Sequence, residues 1–240
     1  AHWPDPYRAN RIRDVIAALP RTSVDSTAAL QQDVVSLMAR DLIPVLMAHT
    51  AGVRDRKILD RLGAWDGAAA RARWEPLVFA VWMDRIKRRI FADELGDLYP
   101  EIGGARPLVI RAVLAGEADW CDDTSTAAVE TCDQTVSAAW ADTVAWLKDR
   151  RLSNVDKVRW GDVHRARFPH ILFGNFPVIG GLGALTIATP GDTYTVNRGT
   201  FLSPSSRAPF RHVHGASLRA IYDLADLGGS KFALPGGQSG

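Results

Sequence analysis

His164, His170, His212 and His214 all fall after residue 160. They are the first side chains to ask about chemistry. His212 and His214 stand two apart, so a strand there would point both rings to one face, an arrangement that suits a metal ion. No nearby Cys, Asp or Glu cluster completes a tetrahedral set, and these residues read as turn or core histidines. No metal ligand and no cofactor are therefore expected in this segment. Gly237-Gln238-Ser239-Gly240 resembles the start of a G-x-S-x-G nucleophile elbow, but that motif needs a last glycine and a following helix. Neither is there, so the stretch reads as a turn. Gly180-Gly181-Leu182-Gly183 lacks the G-x-G-x-x-G spacing and a helix to hold a phosphate. It reads as a loop. Asp122-Asp123 sits where a helix starts, and the helix dipole accounts for the pair without catalysis.

The cysteines, Cys121 and Cys132, stand 11 residues apart. On one continuous helix that is about 16 Å of rise, whereas a disulfide tolerates roughly 4.4–6.8 Å between Cα atoms. Asp122-Asp123-Thr124-Ser125-Thr126, however, is a helix-start signal. With the helix starting near Ser125, Cys132 lies about 10 Å along its axis. Cys121 can fold back over that distance, because extended chain covers about 3.3 Å per residue. The pair is either a disulfide closing a short loop or two buried free thiols. The disulfide is expected, and it would imply an oxidising compartment.

The elements that must position these groups fall into two regions. Residues 1–150 read as helical: 8–19, a long helix opened by Ser23 and running through Leu30, Val34, Leu37 and Val45, then 55–62, 76–95, 107–114 and 125–148. Pro44 should kink or end the second of these. In the last, Val129, Val136, Trp140, Val144 and Leu147 form the apolar stripe. Residues 151–240 read as β-rich, with short strands at 183–188, 193–197, 217–224 and 231–234 between turn signals such as Pro190-Gly191-Asp192. The fold class is α+β. So few short strands leave open edges, so they are expected to complete a sheet begun elsewhere. The abrupt first and last residues likewise suggest a fragment of a larger subunit.

Composition excludes several partners. The charge is only +2, from 29 basic and 27 acidic residues spread along the chain, and nucleic acid or an anionic membrane would need a basic stripe. Lys87-Arg88-Arg89 lies in a helical pattern and reads as a solvated face. No run reaches the 18 or so apolar residues of a membrane span.

Several motifs together resemble the penicillin acylase family of N-terminal-nucleophile hydrolases. They are Tyr7-Arg8-Ala9-Asn10-Arg11-Ile12, Leu30-Gln31-Gln32-Asp33 and Trp65-Asp66-Gly67, then Trp160-Gly161-Asp162-Val163-His164 and Gly191-Asp192 with Thr195-Val196-Asn197-Arg198. Last come His214-Gly215-Ala216-Ser217-Leu218-Arg219 and the stretch from Pro235 to Gly240. Each is weak alone; their order over nearly the whole chain carries the resemblance.

The resemblance implies a β-rich half that completes an αββα sandwich, and a secreted or periplasmic amide hydrolase made from a self-cleaving precursor. Its nucleophile would be the large subunit's N-terminal serine, with its own amine as base and an oxyanion hole partly from an asparagine. All of these belong upstream of Ala1. Arg11 occupies the place of the family's arginine near the nucleophile and is the expected active-site residue here. Trp160-Gly161 and the Gly-Gln-Ser-Gly turn read as fold determinants. Calcium is a candidate in the intact enzyme, with Asp5 nearby. The implied partners are the rest of the same precursor, namely the small subunit and the N-terminal part of the large one. The implied substrate is a small amide, a β-lactam side chain or an acyl-homoserine lactone. This chain alone is expected to be inactive. The competing readings are a non-catalytic secreted binding module and a His-based metal hydrolase.

Overall fold

The computed structural model describes residues 5–102, 106–116, 118–170, 176 and 184–234. The helices are α1 (Tyr7–Ala17), α2 (Val24–Gln31), α3 (Leu37–Ala48), α4 (Lys57–Gly63), α5 (Glu75–Leu95), α6 (Tyr99–Ile102), α7 (Pro107–Gly116), α8 (Cys132–Asp149) and α9 (Trp160–Val163). The strands follow as β1 (Arg165–Phe168), β2 (Leu185–Ala188), β3 (Gly199–Phe201), β4 (His212–Gly215), β5 (Arg219–Ile221) and β6 (Lys231–Ala233). A helical first part and a strand-bearing last part make the α+β class expected from the change in periodicity.

The backbone gathers into two compact units. One holds residues 37–67 and 73–158 with the first few residues, and the other holds 7–36, 68–72 and 159–240. In the first, α5 and α8 pack along their apolar faces. Leu77, Val78, Val81, Trp82, Ile86 and Ile90 are buried on α5. The Trp82 and Trp140 rings meet edge to face, 5.1 Å between centroids, the geometry their quadrupoles favour. Arg88 and Arg89 are exposed, and Arg89 donates to Asp142 at 2.7 Å, but Lys87 is only partly exposed and burial lowers its pKa, so the solvated face expected for Lys87-Arg88-Arg89 holds for the two arginines alone.

α8 starts at Cys132 and not near Ser125. Thr131 is its N-cap: its hydroxyl accepts from Gln134 N at 3.4 Å, and the Gln134 side chain accepts from Thr131 N at 2.8 Å. The earlier start signal is absorbed by local bonds that compete with helix. Asp123 Oδ1 accepts from Ser125 N at 3.0 Å, Asp122 Oδ1 from Glu130 N at 2.9 Å, and Glu130 Oε2 from Asp123 N at 3.0 Å. Val129 is therefore outside the helix and 82% exposed, and Val144 is on the outer face. The buried stripe is Val136, Ala139, Trp140, Thr143 and Leu147. Cys121 and Cys132 are joined in a disulfide with 5.0 Å between Cα atoms.

The long helix expected from Ser23 is two helices. Ser23 caps α2 through a reciprocal bond with Ser26, but the chain leaves helix at Gln32, and Val35 forms a bridge with Ala68. Pro44 stays inside α3 without ending it; it lies on the exposed side, where water can serve the carbonyl its missing N–H leaves unpaired.

In the second unit the main sheet runs in the order β2-β1-β4-β3. β1 pairs antiparallel with β2 (Arg165↔Ala188 to Phe168↔Leu185) and parallel with β4 at Ala166↔His212. β3 and β4 are antiparallel with an irregularity opposite Val213, where Thr200 faces His214 and Phe201 faces His212. β5 and β6 form a separate antiparallel pair. Residues 193–197, expected as a strand, form a turn, because Asp192 Oδ1 accepts from Tyr194 N at 2.6 Å and Thr195 N at 2.9 Å. β5 covers only the middle of the expected 217–224 strand, and β1, β3 and β4 lie outside the expected strands.

Candidate functional site

α1 presents Arg8 and Arg11 one turn apart. Arg11 is clamped by Asp33: Nε donates at 3.1 Å to Oδ1, and Nη2 donates at 2.6 Å to Oδ2. This two-pronged contact, which a planar guanidinium fits and an ammonium does not, raises the Arg11 pKa through the Asp33 hydrogen bond and charge, against the pull of burial. Asp33 is itself fixed. Its Oδ1 accepts from Val35 N at 3.0 Å, and its carbonyl accepts from Asn197 N at 2.8 Å.

Arg8 differs. Its Nε is buried and makes no hydrogen bond among the described residues. Burial, then the nearby Arg198 charge, pushes its pKa down. Sequence reasoning missed this residue, although its place one helical turn before Arg11 was the available signal.

Motifs far apart in the chain meet here. Asn197 Nδ2 donates to Gln32 Oε1 at 3.2 Å, and Asn197 Oδ1 accepts from Arg219 Nη2 at 2.5 Å. Gln31 Nε2 donates to the Ala220 carbonyl at 3.1 Å, tying α2 to β5. The Tyr7 and Tyr194 rings meet edge to face at 5.8 Å. Gly191 is required beside them: its φ is 83°, and a Cβ would collide with the Asn197 carbonyl oxygen. Asp192 is buried, and burial raises its pKa while the Ser36, Tyr194 and Thr195 donors oppose the rise.

The tryptophan and histidine of the W-G-x-x-H stretch build the core of this unit. Trp160 Nε1 donates to the Gly191 carbonyl at 3.0 Å. His164 lies stacked between Trp160 (4.5 Å, 10°) and His212 (4.9 Å, 5°). Its Nδ1 faces the Thr189 carbonyl at 2.8 Å and its Nε2 the Gly199 carbonyl at 3.1 Å. A neutral ring carries one N–H and can serve one of these carbonyls. Protonation would serve both, yet burial wins and lowers the His164 pKa to about 4. Burial also lowers the His212 pKa; its Nδ1 sits 2.9 Å from the Thr189 hydroxyl.

The structure joins His164 to His212 by stacking, and the His212 ring is also hydrogen-bonded to the His214 backbone; the break at Val213 disturbs the same-face geometry on which a metal pair rested. Among the described residues no group of three or more His, Cys, Asp and Glu could hold a metal ion. Among the described residues Asp5 Oδ2 is buried without a hydrogen-bond partner, and Arg106 lies 3.9 Å from Oδ1. One carboxylate is far from the 6–8 or so oxygens of a calcium site, so the described residues do not make such a site by themselves. The turn at Gly237–Gly240 and the glycine string at Gly180–Gly183 lie outside the described residues.

Beside the Asn197 network a cleft of about 610 Å³ opens over β1, β2 and β4. Phe168, Ile187 and Val213 supply apolar surface, and Arg71, Arg167, Arg198 and Arg219 also line it.

A family model described as penicillin amidase matches residues 1–240. The chain is also similar to the acyl-homoserine lactone acylase QuiP of Pseudomonas putida, 28% identical over 275 residues. That alignment covers 99% of this chain and 32% of the relative, so the chain spans about a third of that protein's length.

Proposed function

The chain belongs to the penicillin amidase family, and on that premise we propose that it is one portion of an acyl-amide hydrolase whose nucleophilic N-terminal serine lies outside these residues. In that reaction the serine hydroxyl attacks the acyl carbon and gives its proton to the serine's own amine. The substrate amine leaves with a proton, and water then releases the acid from the acyl-enzyme. No guanidinium of this chain can be the base, because it stays protonated at working pH.

What supports the reading most is the convergence of family-like segments on one polar network, Arg11–Asp33–Asn197–Arg219. In the proposal Arg11 is a positioning residue: its Asp33 clamp fixes α1, and α1 in turn fixes Arg8. Arg8 Nε, lacking a partner among the described residues, would face the reaction centre or the asparagine that builds the oxyanion hole. The relative's name favours an acyl-homoserine lactone over a β-lactam side chain as the substrate class. The remaining partners are the small subunit and the N-terminal part of the large subunit, released together by self-cleavage of one precursor. The disulfide agrees with a periplasmic or secreted location.

The test is made in the whole enzyme. Arg11→Ala should lower kcat by tenfold or more while far-ultraviolet circular dichroism stays unchanged, and Arg11→Lys should restore part of it, since a lysine keeps the charge and loses the fork. Arg8→Ala should lower kcat at least as far. Full activity in both alanine variants would return these arginines to ordinary surface roles.

A further inference from the structure

We infer that the cleft over β1, β2 and β4 binds an amphiphilic carboxylate, an acid with an apolar body. The first observation is how its arginines are held. Several arginines elsewhere in the chain pair with carboxylates: Arg11 with Asp33, Arg61 with Asp156, Arg73 with Glu75, Arg89 with Asp142 and Arg111 with Asp41. The cleft is lined by no Asp or Glu among the described residues. Arg198 Nε donates instead to Thr200 Oγ1 at 2.9 Å and Arg219 Nη2 to Asn197 Oδ1 at 2.5 Å. Neutral acceptors aim a guanidinium without cancelling its charge. Arg71 and Arg167 make no ion pair among the described residues, and both are exposed.

Like charges gathered in one concavity repel unless an anion joins them. The forked donors favour a carboxylate or a phosphate. The floor decides between them. Phe168, Ile187 and Val213 offer apolar surface that a bare inorganic anion cannot use. The volume of about 610 Å³ falls within the roughly 300–1,000 Å³ of small-molecule sites. Amide hydrolysis releases just such an acid, and this identification of the ligand's source rests on the proposed function.

Titration calorimetry of the whole enzyme with decanoate and with phenylacetate tests the site. Both should bind, decanol should bind at least tenfold more weakly than decanoate, and inorganic phosphate should not displace decanoate. Arg71→Gln with Arg167→Gln, both outside the Arg11 network, should weaken decanoate at least tenfold while amide hydrolysis at low product concentration is unchanged. Arg71→Glu should weaken it further. Absence of binding to the parent enzyme, equal binding by the variants, or displacement by phosphate at concentrations similar to decanoate's would each overturn the proposal. Loss of decanoate binding with hydrolysis intact supports it. Variant-sensitive binding by an enzyme that hydrolyses no amide would sink the proposed function and leave the site standing.

Discussion

His164 shows how one side chain can be essential to a fold and still unfit for catalysis. Its ring fills the space between Trp160 and His212, and Gly199 has no side chain because a Cβ there would lie 2.6 Å from His164 Cε1. A folded pKa of about 4 against 6.5 for the free residue means the native state binds fewer protons. Stability then rises with pH between about 4 and 6.5 and is lost as pH falls through that window. The shift corresponds to at most on the order of 3 kcal/mol. His164→Gln keeps a side-chain N–H donor group and removes the titration. Its thermal midpoint should fall relative to the parent at pH 7.5 and vary less between pH 4.5 and 6.5. An unchanged pH slope in the variant would move the acid sensitivity to other groups, His212 first. The motif W-G-x-x-H was legible in sequence; its burial was not, because the carbonyls of Thr189 and Gly199 reach the ring from 25 and 35 residues away.

At the scale of elements, the expected disulfide formed although its expected geometry was wrong. Placing the helix start at Ser125 put Cys132 two turns inside, whereas it is the first residue of α8 beside the Thr131 cap. The signal Thr131-Cys132-Asp133-Gln134 was a capping box in the sequence and lost to the more acidic run ahead of it. Strand limits suffered similarly. Asp192 turned 193–197 away from the sheet, while β1, the strand Arg165–Phe168, alternates arginine with an apolar residue over only four positions, a run short enough for sequence reading to pass over. The disulfide closes a loop with a sequence separation of 11. A loop near that length stabilises by about 3 kcal/mol in the chain-entropy view. Alkylating the denatured enzyme without reductant should leave Cys121 and Cys132 unmodified, and reduction should add two alkyl groups and lower the thermal midpoint. Two modified thiols before reduction would refute the bond in solution.

For the molecule as a whole, the sequence motifs marked the family, and the change from period-3.6 stripes to short β-branched runs marked the α+β order. The cleft was not legible at all. Arg71, Arg167, Arg198 and Arg219 share no spacing and no element, and only the folded backbone brings them to one concavity. The same reasoning bears on what these residues can do alone. Arginines can orient, and they can stabilise developing negative charge, but neither they nor the carbonyl-bound His164 can supply the nucleophile and base of acyl transfer. The 240-residue chain should therefore hydrolyse neither phenylacetyl nor long-acyl amides under conditions where the whole enzyme turns over. The comparison is informative only for folded material. Circular dichroism of the isolated chain should show helix, and the Cys121–Cys132 bond should resist alkylation. With both satisfied, a rate near the whole enzyme's would place a nucleophile within these residues and make Ser239 the first residue to replace. A rate at background, restored when the remaining parts of the precursor are co-expressed with this chain, would locate the serine, its amine and the oxyanion hole outside it.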